Sequence, residues 1–172
     1  NSGNQEGTAT YQNMIKNNVR WSAADAYLKP ILGKKNFNLI KNSLVEKLIL
    51  KNGYIKEVIF KNKNYYKKII IKKEVILSAG SINSPQVLQL SGIGNKFELE
   101  KLGIKCVLNA PAVGENLKDH YAVRVAMRVK NISTYNEKSR GIYLLNEILK
   151  FLFFKKGMLT TPVSTGAVFA KT

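Results

Sequence analysis

The sequence has little cysteine, histidine and acidic side chain, and each shortage removes a class of function. Cys106 is the only cysteine of 172 residues, so the chain forms no internal disulfide and builds no cysteine-based metal cluster. A single thiol is tolerated in reducing and oxidising compartments alike, so it leaves the compartment open. No apolar run approaches the ~18–20 residues that cross a bilayer. The opening "NSGNQEGTATYQ" has neither an initiator methionine nor a basic-then-apolar signal segment. It reads as a polar, glycine-rich loop, and the expectation is an internal piece of a longer chain.

The acidic shortage is the largest. Eleven Asp and Glu face 28 Lys and Arg, for a net charge of +17. Such a balance raises nucleic-acid or other polyanion binding as a function. Its distribution argues for a solvated face instead, because in "KNGYIKEVIFKNKNYYKKIIIKK" the lysines stand singly or in pairs along strands and in their turns. Nucleic acid is therefore not an expected partner. The alternative kept open is a basic polyanion- or membrane-surface-binding module without catalysis. At 45% hydrophobic and 23% charged, the chain is globular in composition.

The patterns predict mixed α/β content. "WSAADAYLKP" (21–30) reads as a short helix capped by Ser22 and stopped by Pro30. "FNLIK", "LVEKLIL", "YIKEVIF", "YYKKIII" and "EVILSA" follow as strands with short joins. Asn-Gly in "KNGY" is the strongest short hairpin signal, since both turn residues need positive φ. With a second turn at "KNKN", residues 44–72 form an antiparallel meander. A helix "NKFELEKLG", a strand "IKCVL" and an edge strand "YAVRVAMRVKN" come later. In "YLLNEILKFLFF" (143–154), Leu144, Leu145, Ile148, Leu149 and Leu152 form an apolar face. That face predicts a helix packed into a core; an interfacial helix with a basic end is the other reading.

"EVILSAGSINSPQVLQLSGIG" (74–94) carries the chemistry. The apolar run at 75–77 predicts a strand buried on both faces. Ligands of open α/β sheets lie beyond such strand ends, where Ser78, Ala79, Gly80 and Ser81 are all small. Ser84 then reads as a helix N-cap, Pro85 as the first helical residue and Gly92 as the C-terminal cap. Two readings stand: a large ligand lies against the strand end, or the turn is tight. "SGIGNKF" is not a dinucleotide fingerprint, because Phe97 occupies the third glycine position and the motif follows a helix.

"GSINSPQVLQLSGIG" resembles the second signature of the glucose–methanol–choline (GMC) flavoprotein oxidoreductases. "VRWSAADAYLKP", "VGENLKDH" and "GMLTTPVSTGAVFAKT" are similar to further family segments, with Ala112 of "NAPAVG" standing where the family usually has glycine. The resemblance implies part of a Rossmann-like, FAD-binding domain with the meander (37–120). Residues 1–36 and 121–172 then belong to an antiparallel-sheet substrate domain and its connection. It implies an FAD-dependent enzyme oxidising the CH–OH group of choline or another primary alcohol by hydride transfer to flavin. The family's pyrophosphate-cradling Gly-x-Gly-x-x-Gly and its catalytic histidine segment have no counterpart here. The implied cofactor contacts are Val45, Ala79 and Gly80, and no catalytic residue or metal ligand is implied. His120 reads as a structural residue, as do Asn116 and Asp119, and Cys106 as a buried thiol. The partners implied are a small alcohol and an electron acceptor, whether oxygen, a quinone or another carrier, with a membrane surface as a further possibility. The expected location is cytoplasmic or peripheral to the inner membrane.

Overall fold

The computed structural model describes residues 6–121, 123, 127–162, 164 and 166–169. In chain order its strands are β1 (Gly7–Thr10), β2 (Ile15–Lys16), β3 (Val19–Arg20), β4 (Ser43–Lys51), β5 (Tyr54–Asn62), β6 (Tyr65–Ile70), β7 (Ile93–Gly94), β8 (Leu108–Asn109) and β9 (Gly166–Phe169). Its α-helices are α1 (Gly80–Leu90), α2 (Lys96–Lys101), α3 (Tyr135–Lys138) and α4 (Gly141–Phe154). Two compact units emerge: Leu39–Arg124, and Asn1–Asn38 with Val125–Thr172. Helices and antiparallel strands are mixed, as an α/β fragment requires.

In the first unit β4, β5 and β6 form an antiparallel meander in that order. Asn52 and Gly53 take φ of 53° and 77°, the pair of positive values that a twist-matched two-residue hairpin needs. The second turn puts Lys63 at φ 54°, a conformation that costs a side chain with a Cβ. Register places Leu48 opposite Val58 and Val58 opposite Ile69 on one face. β4 packs on α1, and Leu48, Phe60 and Val87 are buried. The other face carries the row Lys47, Ile59, Lys68, with Lys68 3.5 Å from Glu57. The lysines are thus the solvated side of a half-buried sheet.

Several strands foreseen in the sequence do not form. Residues 37–41 and 74–78 have no ladder, and Ile76 is 80% exposed. "IKCVL" contributes only to β8, the parallel partner of β7. In "YAVRVAMRVKN", residues 121, 123 and 127–131 are not strand, while 122 and 124–126 lie outside the described residues. The physical reason is common to all. An apolar run supplies one half of a ladder, and a strand exists only where another segment supplies the other half.

α1 begins five residues earlier than Ser-Pro suggested. Its first residue, Gly80, has φ 86° and turns the chain into the helix. Ser84 is not the N-cap; its Oγ reaches back to accept the Ala79 N–H at 3.1 Å. Pro85 lies inside the helix, where its missing N–H leaves the Ser81 carbonyl without the usual donor. The C-terminal end is as foreseen. Gly92 has φ 83°, and a Cβ there would sit 2.5 Å from the Lys105 carbonyl oxygen. That closeness lets the Val107 N–H reach the Gly92 carbonyl at 2.7 Å. α2 is capped by Asn95, whose Oδ1 accepts the Phe97 N–H at 3.0 Å.

In the second unit β1 pairs with β9, and β2 with β3 through Asn17 and Asn18, both at positive φ. "SAADAYL" makes one wide helical turn, Ala24–Leu28, with Ser22 as its cap: Asp25 N–H donates to Ser22 Oγ and Ser22 N–H to Asp25 Oδ2. Pro30 does not stop the chain but sits in a tighter turn, Lys29–Ile31. α4 departs most from its reading as a core helix. The only residue it buries fully is Glu147; of the expected apolar face Leu145, Leu149 and Leu152 are exposed, while Leu144 and Ile148 are half-buried.

Candidate functional site

The signature stretch occupies the first unit, and so do all three expected cofactor contacts. Ala79 and Gly80 form the exposed turn at the start of α1. A Cβ added at Gly80 would meet nothing within 4 Å. Glycine is required here for its positive φ, and the space beside it is open. Both sequence readings therefore have a footing: the turn is tight, and it leaves room for a ligand.

Val45 sits in β4 opposite Phe60, and the register jumps from Val45 to Lys47. Glu46 is thereby unpaired, a bulge of the kind that frees backbone groups from a ladder. Three residues on, the sheet is tied to α1. The Leu48 N–H donates to Ser91 Oγ at 2.7 Å, and Ser91 Oγ donates to the Val87 carbonyl at 2.5 Å. Ser91 is buried, and its hydroxyl satisfies an N–H on the outer side of β4, an edge strand of the meander. Sequence reasoning missed it. The available signal was a serine at a helix end, whose side chain can bond back one turn.

Beside the first turns of α1 runs a groove of about 460 Å³ lined by Ser81, Pro85, Gln86, Gln89, Gly114 and Glu115, among others. Gln89 closes one end. Its Nε2 donates to the Val113 carbonyl at 3.2 Å, and a Cβ on Gly114 would stand 2.6 Å from that nitrogen. Gln89 thus holds the loop leading into "GENLKDH". In that loop the Val113 N–H bonds the Ala110 carbonyl at 3.0 Å, a turn around Pro111 and Ala112. Ala112 is not at positive φ, which explains why alanine suffices in the place of glycine.

Asn116 has φ 57°, and Asp119 Oδ1 accepts the His120 N–H at 2.7 Å. The exposed His120 ring has no hydrogen bond among the described residues, so its hold on the structure runs through the backbone. Cys106 is a free, half-buried thiol. Among the described residues no three His, Cys, Asp or Glu side chains converge as a metal site would need. Two carboxylates are held below their usual range. Asp25 is lowered chiefly by its bond with Lys29 and then by Ser22. Glu147 is lowered first by the Met158 N–H and then by Lys150.

The sequence profile of the GMC oxidoreductases matches residues 1–122, and the chain belongs to that family. It is 36% identical over 171 residues to the oxygen-dependent choline dehydrogenase of Brucella anthropi, covering 99% of this chain and 31% of that protein. It is 41% identical over 125 residues to the mitochondrial choline dehydrogenase of Homo sapiens, covering 73% of this chain and 21% of that one. The fold matches an FAD-dependent oxidoreductase from Chaetomium thermophilum with a TM-score of 0.83 at 22% identity, over 96% of this chain and 30% of the other. The chain thus spans about a third of the length of the relatives it matches.

Proposed function

We propose that this chain is part of an FAD-dependent oxidoreductase that oxidises the CH–OH group of a primary alcohol, with choline as the first substrate to try. The observation that carries the proposal is the turn at Ala79–Gly80. An exposed, small-residue turn at the head of a helix, in the position of the family's second signature, offers its backbone to a flat ligand at close range. Bound FAD supplies the hydride acceptor that no side chain of this chain provides.

The chain's own residues bind and position. Ala79 and Gly80 line the adenosine half with backbone and a methyl group, so nothing bulky meets the sugar. Val45, paired with Phe60 on the edge strand β4 and next to the unpaired Glu46, would meet the adenine edge of the bound cofactor with backbone. Ser91 keeps these two pieces in one frame by tying β4 to α1. Gln89 fixes the 113–120 segment against the same helix. We assign residues 37–120 to the flavin domain, and 1–36 with 121–172 to the substrate domain and its connection. The division into two compact units supports this. The electron acceptor is oxygen or a diffusible carrier such as a quinone; the oxygen-dependent relatives favour testing oxygen first.

The test uses the full-length gene product. Purified protein should be yellow, release FAD on denaturation, and reduce an artificial electron acceptor when given choline or another primary alcohol. A colourless, folded product that takes up no FAD would defeat the proposal. Gly80→Val should lower FAD retention at least about tenfold, because a β-branched residue at positive φ costs ~1–3 kcal/mol of strain and fills the open side.

A further inference from the structure

We infer that Gln89 is a positioning residue for the bound cofactor. Its carboxamide holds residues 113–117 at a set distance from α1, and that distance fixes the wall of the groove beside the Ala79–Gly80 turn, granted the reading of that turn as an FAD contact.

The helix turns different sides to its neighbours. Val87 and Ser91, four residues apart, face the sheet, where Ser91 ties β4. Ser81, Pro85 and Gln89 recur at the same four-residue spacing on another side, and all three line the groove. The groove therefore follows α1 from Ser81, the residue after Gly80, to Gln89. Its far side is Gly114, Glu115 and Leu117.

Gln89 is the link between the two sides. Its Nε2 donates to the Val113 carbonyl at 3.2 Å, and among the described residues this is the one hydrogen bond between α1 and residues 113–121. Residues 114–121 are exposed and belong to no helix or strand, so neither packing nor a ladder sets their place. Gly114 is matched to the same contact. It has φ 88°, and a Cβ there would stand 2.6 Å from the Gln89 Nε2 and 3.4 Å from its Cδ. Only glycine lets the carboxamide pass to the carbonyl of the residue before it.

The chemistry at position 89 is specific. A carbonyl accepts, so the side chain must donate, and glutamine does so without charge. Methionine fills the same length but donates nothing, and an ionised glutamate turns an acceptor toward an acceptor. One neutral hydrogen bond is small against the stability of a domain, yet it shifts a segment between two placements several-fold. Its loss leaves the fold standing and releases the wall. A ligand that loses a wall leaves faster.

The experiment measures FAD release from the full-length protein by the rise in flavin fluorescence on dilution, with deuterium uptake recorded in saturating FAD. Gln89→Met should release FAD about fivefold faster than wild type, the factor that one neutral hydrogen bond sets. Uptake at residues 113–121 should rise while uptake at Leu48 stays the same. Gln89→Glu should match Gln89→Met at neutral pH. It should approach wild type as pH falls toward the ordinary glutamic acid value of about 4.3, where the carboxyl regains a proton to donate. Glu115, the other titratable side chain lining the groove, is common to all three proteins and cancels in the comparison. A Gln89→Met protein that keeps FAD as long as wild type overturns the inference. So does one in which Leu48 also exchanges faster, since position 89 would then serve the fold at large, and so does a Gln89→Glu protein whose release ignores pH. Wild type that holds no FAD defeats the functional reading and this inference with it. Wild type that holds FAD beside an equally retentive Gln89→Met defeats the positioning role alone.

Discussion

Single residues fix the close contacts in this structure. Gly92 combines a positive φ with a neighbour that a methyl group would strike. Gly92→Ala should lose at least about 2 kcal/mol, from left-handed strain and from pushing the chain at Lys105–Val107 away. The midpoint of urea denaturation measures it. Ser91→Ala leaves the Leu48 N–H buried without an acceptor, at a cost of about 1–3 kcal/mol. Glu147 gives a pH signature. Its carboxyl is depressed below the ordinary value of 4.5 by the Met158 N–H and Lys150. A depressed carboxyl stabilises the fold above its unfolded value and loses that contribution as pH falls through the folded one. Melting temperature should therefore drop between about pH 5 and the lowered folded-state value, and Glu147→Gln should flatten that limb of the profile.

At the scale of elements, the legible features were those encoded by neighbours in sequence. Asn52-Gly53 announced the first hairpin because only such residues take two positive φ values cheaply. Gly103, at φ 74°, closed α2 for the same reason. The reading failed where the partner lay elsewhere. Residues 75–77 have the side chains of a central strand but no adjoining ladder among the described residues, and nothing local distinguishes the two cases. The start of α1 was misplaced because Ser-Pro resembles an N-terminus, while the true entry depends on Gly80 and on Ser84 reaching backwards. The leucines of α4 were visible, but which face a neighbour covers is not written in their spacing. At the second hairpin, Lys63 sits where asparagine or glycine is at ease. Lys63→Asn should raise stability by ~0.5 kcal/mol, read as a higher denaturation midpoint with an unchanged slope.

For the whole molecule, the family was legible because the signature at 80–94 spans a turn, a helix and a second turn, each with its own physical demand. Of the candidate contacts, Ala79 and Gly80 were readable as small residues at an element boundary. The bulge that sets Val45 apart was not, because it depends on how β4 meets β5. Much apolar surface stays open: among the described residues the buried hydrophobic side chains are Leu48, Phe60, Val87 and Leu99.

The hydroxyl of Ser91 joins positions 43 residues apart, and that span has a kinetic meaning. The amide of Leu48 cannot trade its proton for deuterium until Ser91 lets go, and Ser91 sits on the last turn of a helix it also grips. Deuterium uptake at Leu48 in the sheet should therefore keep time with the opening of the helix end, so that two distant stretches of chain open as one.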